Sequence, residues 1–309
     1  MTTHALDAHV PKEKKRSWVL RNRFLLLRRS SQLLILALFL AGPWAGLWIV
    51  KGTLTSSMTL DILPLTDPFL LLQTMVTGHW PELTGLIGVA IVVGFYAVFG
   101  GRLYCSWVCP MNVVTDSANW LHRKLDLKKG WQPKKHTRYW VLAMTLLVAA
   151  GSGSLAYELV NPVTLLHRGL VFGMGFAWAA VLMVFLFDTF VSRHGWCGHL
   201  CPMGAVYGLL NTKSLLRVSA NNRDACDDCM DCFEVCPEIH VISPALRGKG
   251  DDTPLIVNRD CTSCGRCIDV CDLDVFSFTH RFDTQLIQPT SIEPGPRDPV
   301  TTKAMGGHK

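Results

Sequence analysis

Twelve cysteines fall into four tight groups along this chain of 309 residues, and their spacing is typical of metal-binding thiolates. Eight of them form two runs near the C-terminus, Cys226-x2-Cys229-x2-Cys232-x3-Cys236-Pro237 and Cys261-x2-Cys264-x2-Cys267-x3-Cys271. In this type of run, the first three thiolates bind one [4Fe–4S] cluster and the fourth reaches a second cluster. The spacing therefore predicts one cluster on Cys226, Cys229, Cys232 and Cys271. It predicts another on Cys261, Cys264, Cys267 and Cys236.

Zinc is the alternative metal for clustered cysteines. Zinc sites commonly use pairs of cysteines, and a third cysteine at the same short spacing is rare in them. The second run departs from the usual pattern, because Asp272 stands where a proline is expected. The change removes no ligand, and the added carboxylate is expected to lower the potential of the cluster that Cys271 binds.

The other four cysteines form a repeated motif, Cys105-x3-Cys109-Pro110 and Cys197-x3-Cys201-Pro202, whose copies start 92 residues apart. Cysteines at i and i+4 lie on one face of a helical turn, and proline favours the start of the next helix. Two such pairs would present four thiolates at a membrane surface. They could hold a further iron site, act as a dithiol/disulfide relay, or only pack. Duplication beside a two-cluster region favours a redox or metal role.

The elements that must position these cysteines are apolar. Only 17% of the residues are charged, against about 25% in soluble proteins. The deficit is concentrated in residues 32–50, 84–100, 139–157 and 171–191, each near the length that spans a bilayer. We predict an α-helical membrane domain of four transmembrane helices. They form two hairpins that each end in one Cys-x3-Cys-Pro motif, followed by an α+β ferredoxin domain with two clusters.

The orientation is predicted from the basic residues. The N-terminal arm and the connection between the second and third spans carry sixteen Lys and Arg residues, whereas the opposite side carries only Lys51 and Arg168. This bias places both termini and all the cysteines on the cytoplasmic side of a bacterial inner membrane. Juxtamembrane charge attracts anionic lipid, which explains the basic runs better than nucleic acid does. A short apolar piece, residues 69–76, is expected to lie at the outer interface or to re-enter.

The chain divides into four predicted parts. Residues 1–30 form a basic cytoplasmic arm, 31–214 the membrane domain, 215–282 the ferredoxin domain and 283–309 a disordered tail. The tail is rich in proline, threonine and glycine, with no aromatic residues.

All twelve cysteines, in this order and beside four apolar spans, resemble the NapH family of membrane ferredoxin-type subunits of periplasmic nitrate reductase systems. The resemblance covers residues 16–282 and extends to MauN proteins and to NosR-like and FixG/RdxA-like membrane modules. It implies a quinol dehydrogenase subunit that takes electrons from the membrane quinol pool. These electrons would pass to a periplasmic iron–sulfur partner of the NapG type and then to a downstream reductase.

Quinol oxidation also requires a proton acceptor that titrates near the working pH, which favours histidine or a shifted carboxylate. The candidates are Asp188, inside the fourth span, and His167 and His79 on the outer side. For Asp188, an interfacial ion pair with Arg193 is the simpler interpretation.

Two other functions fit parts of the sequence. The chain could be an assembly or maturation factor that donates electrons to a periplasmic or membrane enzyme of the methylamine dehydrogenase or cytochrome oxidase type, as the MauN-like and FixG-like resemblance suggests. A transporter subunit is disfavoured by the small membrane domain and the clusters.

Overall fold

The computed structural model describes residues 17–127, 130–131, 133–173, 175–248 and 253–283. Most of the predicted basic arm (1–16) and of the predicted tail (284–309) lies outside these residues. The described part consists of a helical domain and a smaller region that contains the two long cysteine runs.

The helical domain begins with a short helix, α1, and a long helix, α2. Helix α2 starts within the predicted arm and ends at Gly46, which adopts the left-handed conformation at the C-cap and stops the helix five residues before the predicted end of the first span. A three-stranded antiparallel sheet in the order β1-β2-β3 follows. The bounds are α1 Trp18–Arg21, α2 Arg23–Ala45, β1 Val50–Gly52, β2 Ser56–Thr59 and β3 Leu63–Thr66.

The rest of the helical domain consists of helices of 5 to 17 residues. They are α3 Pro68–Val76, α4 Leu83–Phe99, α5 Met111–Lys124, α6 Thr137–Ser152, α7 Ala156–Val160, α8 Pro162–Phe172, α9 Gly175–Leu186 and α10 Pro202–Leu210. The apolar piece at 69–76 forms α3, a short helix that packs against α4, α6 and α10. Its Phe69 and Gln73 side chains are buried inside the domain.

The helical domain is an internal repeat that extends further than the cysteine motifs. Helix α3 starts with Pro68 after the N-cap Asp67, and α8 starts with Pro162 after the N-cap Asn161, 94 residues later. Each of these short helices pairs with the apolar helix after it, α4 or α9. Each also contacts the first and last helices of the other half: α3 contacts α6 and α10, and α8 contacts α2 and α5. The two halves are therefore interlocked.

One helix among the described residues, Arg23–Ala45, is long and apolar enough to cross a membrane. At 1.5 Å per residue it spans about 34 Å, enough for a hydrocarbon core of about 30 Å. Only 17% of its apolar stretch is buried, unlike the core helix of a soluble protein. The other three predicted spans form shorter helices, and Leu83–Phe99 and Gly175–Val191 are also apolar.

The C-terminal region begins with β4, shortly after the last helix of the helical domain. Strand β4 pairs antiparallel with β5, and the short helices between them carry the cysteine runs. The bounds are β4 Leu216–Ser219, α11 Asp231–Val235, α12 Ile242–Arg247, α13 Arg266–Val270 and β5 Ser277–His280. A core that includes Val218, Ile242, Ile268 and Phe276 packs between the two runs.

Candidate electron-transfer site

Both Cys-x3-Cys-Pro motifs fold as a single wide helical turn. The amide of Cys109 donates to the carbonyl of Tyr104 at 2.9 Å, and the amide of Cys201 donates to that of Trp196 at the same distance. These i→i−5 bonds define π turns, which occur frequently at functional sites. The backbone becomes extended at each second cysteine, and the next helix starts at or just after the proline, as the sequence predicts.

The motif cysteines lie at the core of the helical domain. Cys109 is buried in that core, and Cys105 and Cys201 pack against it. The cause is the interlocking of the halves, because α5 and α10 run alongside α9 and α4 instead of leaving the domain. Burial, and then the charges of Cys105 and Cys201, raise the pKa of Cys109. Burial, and then the charges of Asp188 and the other three motif cysteines, raise the pKa of Cys197. The four sulfurs therefore form one group.

The eight remaining cysteines surround two small cavities. One cavity is lined by Cys226, Cys229, Cys232 and Cys271. The other is lined by Cys236, Cys261, Cys264 and Cys267. These are the sets that the spacing predicts, with the fourth cysteine of each run crossing to the other cavity. Burial, and then neighbours that include Cys232 of the first set, raises the pKa of Cys267, so the two sets adjoin each other.

The sulfur spacing suits clusters better than single ions. In the part of the chain that the structure describes, no three cysteine sulfurs lie within 4.8 Å of one another. A tetrahedral zinc ion with Zn–S bonds of about 2.3 Å would bring its sulfurs to about 3.8 Å. Each of the two cavities thus has four cysteine thiols, the donor set of a [4Fe–4S] cluster.

The loop that lines the second cavity is hydrogen-bonded directly to the first Cys-x3-Cys-Pro motif. Ser106 and Trp107, between Cys105 and Cys109, donate to the carbonyls of Thr262 and Ser263 at 2.8 and 3.1 Å. Asn211, after α10, donates to the carbonyl of Cys261 at 2.9 Å. The loop that carries three cysteines of the second set therefore rests on the first Cys-x3-Cys-Pro motif and on the end of α10.

Buried ion pairs hold the same interface. Arg102 donates to Glu238 at 2.8 Å and to the carbonyl of Asp260 at 2.6 Å. Arg138 forms a short ion pair with Asp260. Burial alone would raise the pKa of Asp260, but the hydrogen bond from His240 and the two arginines hold it well below its usual range. Glu238, His240 and Asp260 lie close enough together for a metal ion, yet both arginines already neutralise the carboxylates.

The first turns of α2 close the contact from the opposite side. The carboxylate of Asp269 accepts hydrogen bonds from the amides of Phe24 and Leu25 at 3.2 and 3.0 Å. Further along α2, Gln32 donates to the carbonyl of Ser106 at 2.9 Å. Gly265 adopts a positive φ, and a Cβ there would lie 2.5 Å from Phe24, so only glycine fits. The basic N-terminal segment thus joins the two domains.

The three predicted proton acceptors lie apart. Asp188 is fully buried, and it accepts from the amide of Trp196 at 2.9 Å instead of pairing with Arg193. His167 is buried in α8, and neither of its ring nitrogens has a partner in the described structure. His79 is exposed and contacts Thr77. Of these three, only Asp188 is hydrogen-bonded to a cysteine motif among the described residues, through the turn that carries Cys197.

Asp67 is a further candidate that the sequence reading missed. It is 4% exposed and accepts a hydrogen bond from the Tyr207 hydroxyl at 3.0 Å. Tyr207 stacks on Tyr104, next to Cys105, with ring centroids 4.7 Å apart. Burial raises the pKa of Asp67 to about 6, although hydrogen bonds from Phe69, Tyr207 and Leu70 oppose the shift. The sequence signal for Asp67 is the internal repeat, in which Asp67-Pro68 corresponds to Asn161-Pro162 upstream of the cysteines.

Two known domain families match the chain, and both bind 4Fe–4S clusters by description. The "4Fe-4S binding domain" matches residues 82–128 and 174–219, so each copy contains one Cys-x3-Cys-Pro motif. The "4Fe-4S dicluster domain" matches residues 225–275, which contain the eight other cysteines. The fold and these matches define a ferredoxin-type electron-transfer protein with 4Fe–4S domains.

Curated relatives give the family. The chain is 50% identical to "Ferredoxin-type protein NapH" of Haemophilus influenzae over 87% of this chain and 94% of the relative. Identity to NapH of Escherichia coli K12 is 45% over 92% of this chain and 99% of the relative. Identity to "Methylamine utilization ferredoxin-type protein MauN" of Paracoccus denitrificans is 51% over 80% of this chain and 87% of the relative. The chain belongs to the NapH family of ferredoxin-type proteins, to which MauN proteins are also close. No solved structure matches it.

Proposed function

We propose that the protein is a membrane-bound quinol dehydrogenase subunit that passes electrons from quinol toward a periplasmic reductase. The contact of the Cys261–Cys267 loop with the motif around Cys105 and Cys109 carries this proposal, because it joins three groups of cysteines into one path. Electron transfer requires such continuity, and packing alone does not explain why the joined segments are the cysteine-bearing ones.

Three sets of cysteines would hold iron in this proposal. The two dicluster sets are those that line the two cavities. The third consists of Cys105, Cys109, Cys197 and Cys201, which the 4Fe-4S binding domain matches support. Bound [4Fe–4S] clusters exchange one electron each, so several in series can divide the two-electron oxidation of quinol. In space, the set with Cys267 stands between the set with Cys232 and the buried motif group.

The setting that we propose is a bacterial inner membrane crossed four times, with both termini in the cytoplasm. Beyond α2, the other predicted spans leave large apolar side chains exposed, among them Phe95, Leu147 and Met183. Exposed apolar surface of this extent is characteristic of contact with lipid. The loop charge supports the orientation.

Oxidation of quinol releases two protons with its two electrons, and we infer that Asp67 accepts them in turn. Its carboxylate is bonded to Tyr207 beside the motif cysteines. Glu158, which is half-buried, bears electrostatically on Asp67 and accepts hydrogen bonds from Asn161 and Thr164. Glu158 therefore offers the next acceptor toward solvent. Asp188, His167 and His79 remain alternative acceptors.

The pathway that we propose is delivery through a NapG-type iron–sulfur partner to a periplasmic nitrate reductase. The similar identity to NapH and MauN proteins, 50% and 51%, favours one shared electron-donating module with different acceptors. A role as an electron-donating maturation factor is the alternative, and it uses the same centres without turnover of quinol.

Iron content and quinol oxidation test the proposal together. Three clusters require about twelve iron atoms per chain, and Cys105→Ser with Cys197→Ser should lower this to about eight. Clusters in the purified wild-type protein should become reduced on adding a quinol, observed as bleaching in the visible spectrum. In the double variant the dicluster signals should persist but no longer respond to quinol. Full iron content in the double variant would refute the third site. Wild-type clusters that never exchange electrons with quinol would support the maturation role.

A further inference from the structure

A large basic cavity lies where the start of α2, helix α5 and the ferredoxin region meet. Its volume is about 580 Å³. Six arginines line it: Arg21, Arg28, Arg29, Arg123, Arg193 and Arg266. The cysteine sets line other cavities, so the electron-transfer path does not account for this one.

The cavity has more positive charge than its carboxylates can neutralise. Only Asp116 and Asp269 line it. Asp116 forms ion pairs with Arg29 and Arg266, and lies 3.8 Å from Arg28. Burial would raise the pKa of Asp116, but Arg266, His194, Arg29 and Arg28 lower it to about 2. Asp269 is occupied by the backbone amides of α2.

Arg123 and Arg193 are left without a carboxylate partner. Neither forms an ion pair within the described residues. The Nε of Arg193 is buried and lacks a hydrogen-bond acceptor there, as do the Nε atoms of Arg28 and Arg266. Burial, and then the charge of Arg123, lowers the pKa of Arg193, although Glu234 and Cys236 oppose the shift. A bound anion would relieve this repulsion and supply acceptors.

The surroundings of the cavity indicate an amphipathic anion. Leu25, Trp120, Val235 and Val270 also line it. One turn beyond Arg29, helix α2 exposes Leu33 and Leu34, each 63% accessible. Trp18 and Trp120 are exposed nearby, as is typical at a bilayer interface. A headgroup in the cavity could thus extend its acyl chains along the apolar surface of α2.

We propose that this cavity binds the phosphate of an anionic phospholipid headgroup and thereby joins the ferredoxin region to the membrane surface. The lipid phosphate accepts hydrogen bonds from Arg123 and Arg193, while Arg28, Arg29 and Arg266 contribute charge behind them. Basic pockets beside membrane helices bind such headgroups. The ligand lies between α5 and α13, so it stabilises the docked arrangement of the two domains.

Lipid retention by the full-length protein tests the proposal. The protein is delipidated in mild detergent, exposed to vesicles of phosphatidylglycerol or of phosphatidylcholine, and re-isolated for mass spectrometry of bound lipid. The wild type should retain phosphatidylglycerol and show a higher midpoint of thermal unfolding with it. Arg123→Gln with Arg193→Gln should weaken retention about 25-fold, since each basic residue at a membrane surface contributes about fivefold. Lys213→Gln, at an exposed lysine that does not line the cavity, should bind like the wild type.

Three outcomes would overturn the proposal. The first is equal phosphatidylglycerol retention by the double variant and the wild type. The second is equal retention of phosphatidylcholine and phosphatidylglycerol by the wild type. The third is an equal thermal shift with millimolar inorganic phosphate alone, which would identify a free anion as the ligand. Unchanged iron content in every variant shows that the protein is folded, and a single Arg123→Gln variant replaces the double variant if that one loses iron.

Discussion

Ser106 and Trp107 connect the two domains because they occupy positions inside a cysteine motif. A π turn is wider than an α-helical turn, so it can point both cysteines inward while the residues between them face the ferredoxin loop. Their hydrogen bonds go to backbone carbonyls, which fixes the loop position without depending on its side chains. The geometry of the contact thus depends on the backbone on one side and on two side chains on the other.

The first prediction concerns Asp67 and pH. Its pKa of about 6 means that the carboxylate accepts protons above pH 6 and is already protonated below it. Quinol oxidation should therefore fall about tenfold per unit of pH below 6. Asp67→Asn should remove this dependence and slow the reaction about a hundredfold at pH 7.5, a typical loss for a general base. Initial rates of cluster reduction by quinol measure both effects.

Stability gives an independent measure of the same group. The native pKa of Asp67 is raised, so the native state binds more protons than the unfolded state between about pH 4 and 6. Wild-type stability should fall as pH rises through this window, and Asp67→Asn should not show that fall. Asp61→Asn, at an exposed carboxylate paired with Lys51, is the matched control and should behave like the wild type. If the stability of Asp67→Asn fell between pH 4 and 6 as that of the wild type does, the Asp67 carboxylate would be excluded as the acceptor.

At the scale of elements, the close approach of α10 to the segment after α4 depends on one glycine. A Cβ at Gly101 would lie 2.0 Å from the carbonyl oxygen of Tyr207 and 2.5 Å from the amide of Asn211. Backbone atoms cannot move aside as a flexible side chain can. The position therefore sets how near Tyr207 and Asn211 come to the first motif.

We predict that Gly101→Ala lowers the free energy of unfolding by about 3 kcal/mol, the upper end of overpacking effects. The shift of α10 should also weaken the bond from Asn211 to Cys261, so iron should be lost on dilution into detergent. Gly94→Ala is the control, because it lies within α4 with open space around its Cβ. It should unfold at or above the wild-type temperature, since alanine favours a helix. Equal unfolding temperatures for the two variants would contradict the role of Gly101.

At the same scale, the sequence predicts the existence of helices better than their paths. The four apolar stretches all form helices, because long uncharged segments have few other ways to satisfy their backbone. For residues 69–76, composition left two placements open, the outer interface and re-entry, and α3 packs inside the domain. Composition did not indicate the path of α8, because a helix of 11 residues is too short to stand out as a span. The grouping of cysteines follows from spacing, whereas the burial of Cys109 depends on how the two halves interlock. The burial of Asp67 beside Tyr207 likewise depends on how the two halves interlock, and spacing alone does not predict it.

At the scale of the whole molecule, the predicted orientation can be tested on both sides. The turn at Leu60 and Asp61 is exposed and joins β2 to β3, so an insertion there should preserve the fold. Alkaline phosphatase inserted at this turn should be active, because the proposed orientation places it outside. Green fluorescent protein fused after residue 283 should fluoresce, and phosphatase fused there should be inactive. The opposite pattern would reverse the proposed orientation.

The ferredoxin loop that rests on the first π turn also has a consequence for biogenesis. Asn211, Ser106 and Trp107 hold the loop against the segment that carries Cys105 and Cys109. Any iron bound by that buried group must be inserted into the nascent helical domain before the C-terminal region folds over it. Maturation would then proceed from the N-terminal half to the C-terminal half, in the direction of translation, and the finished protein could not repair that centre without undocking.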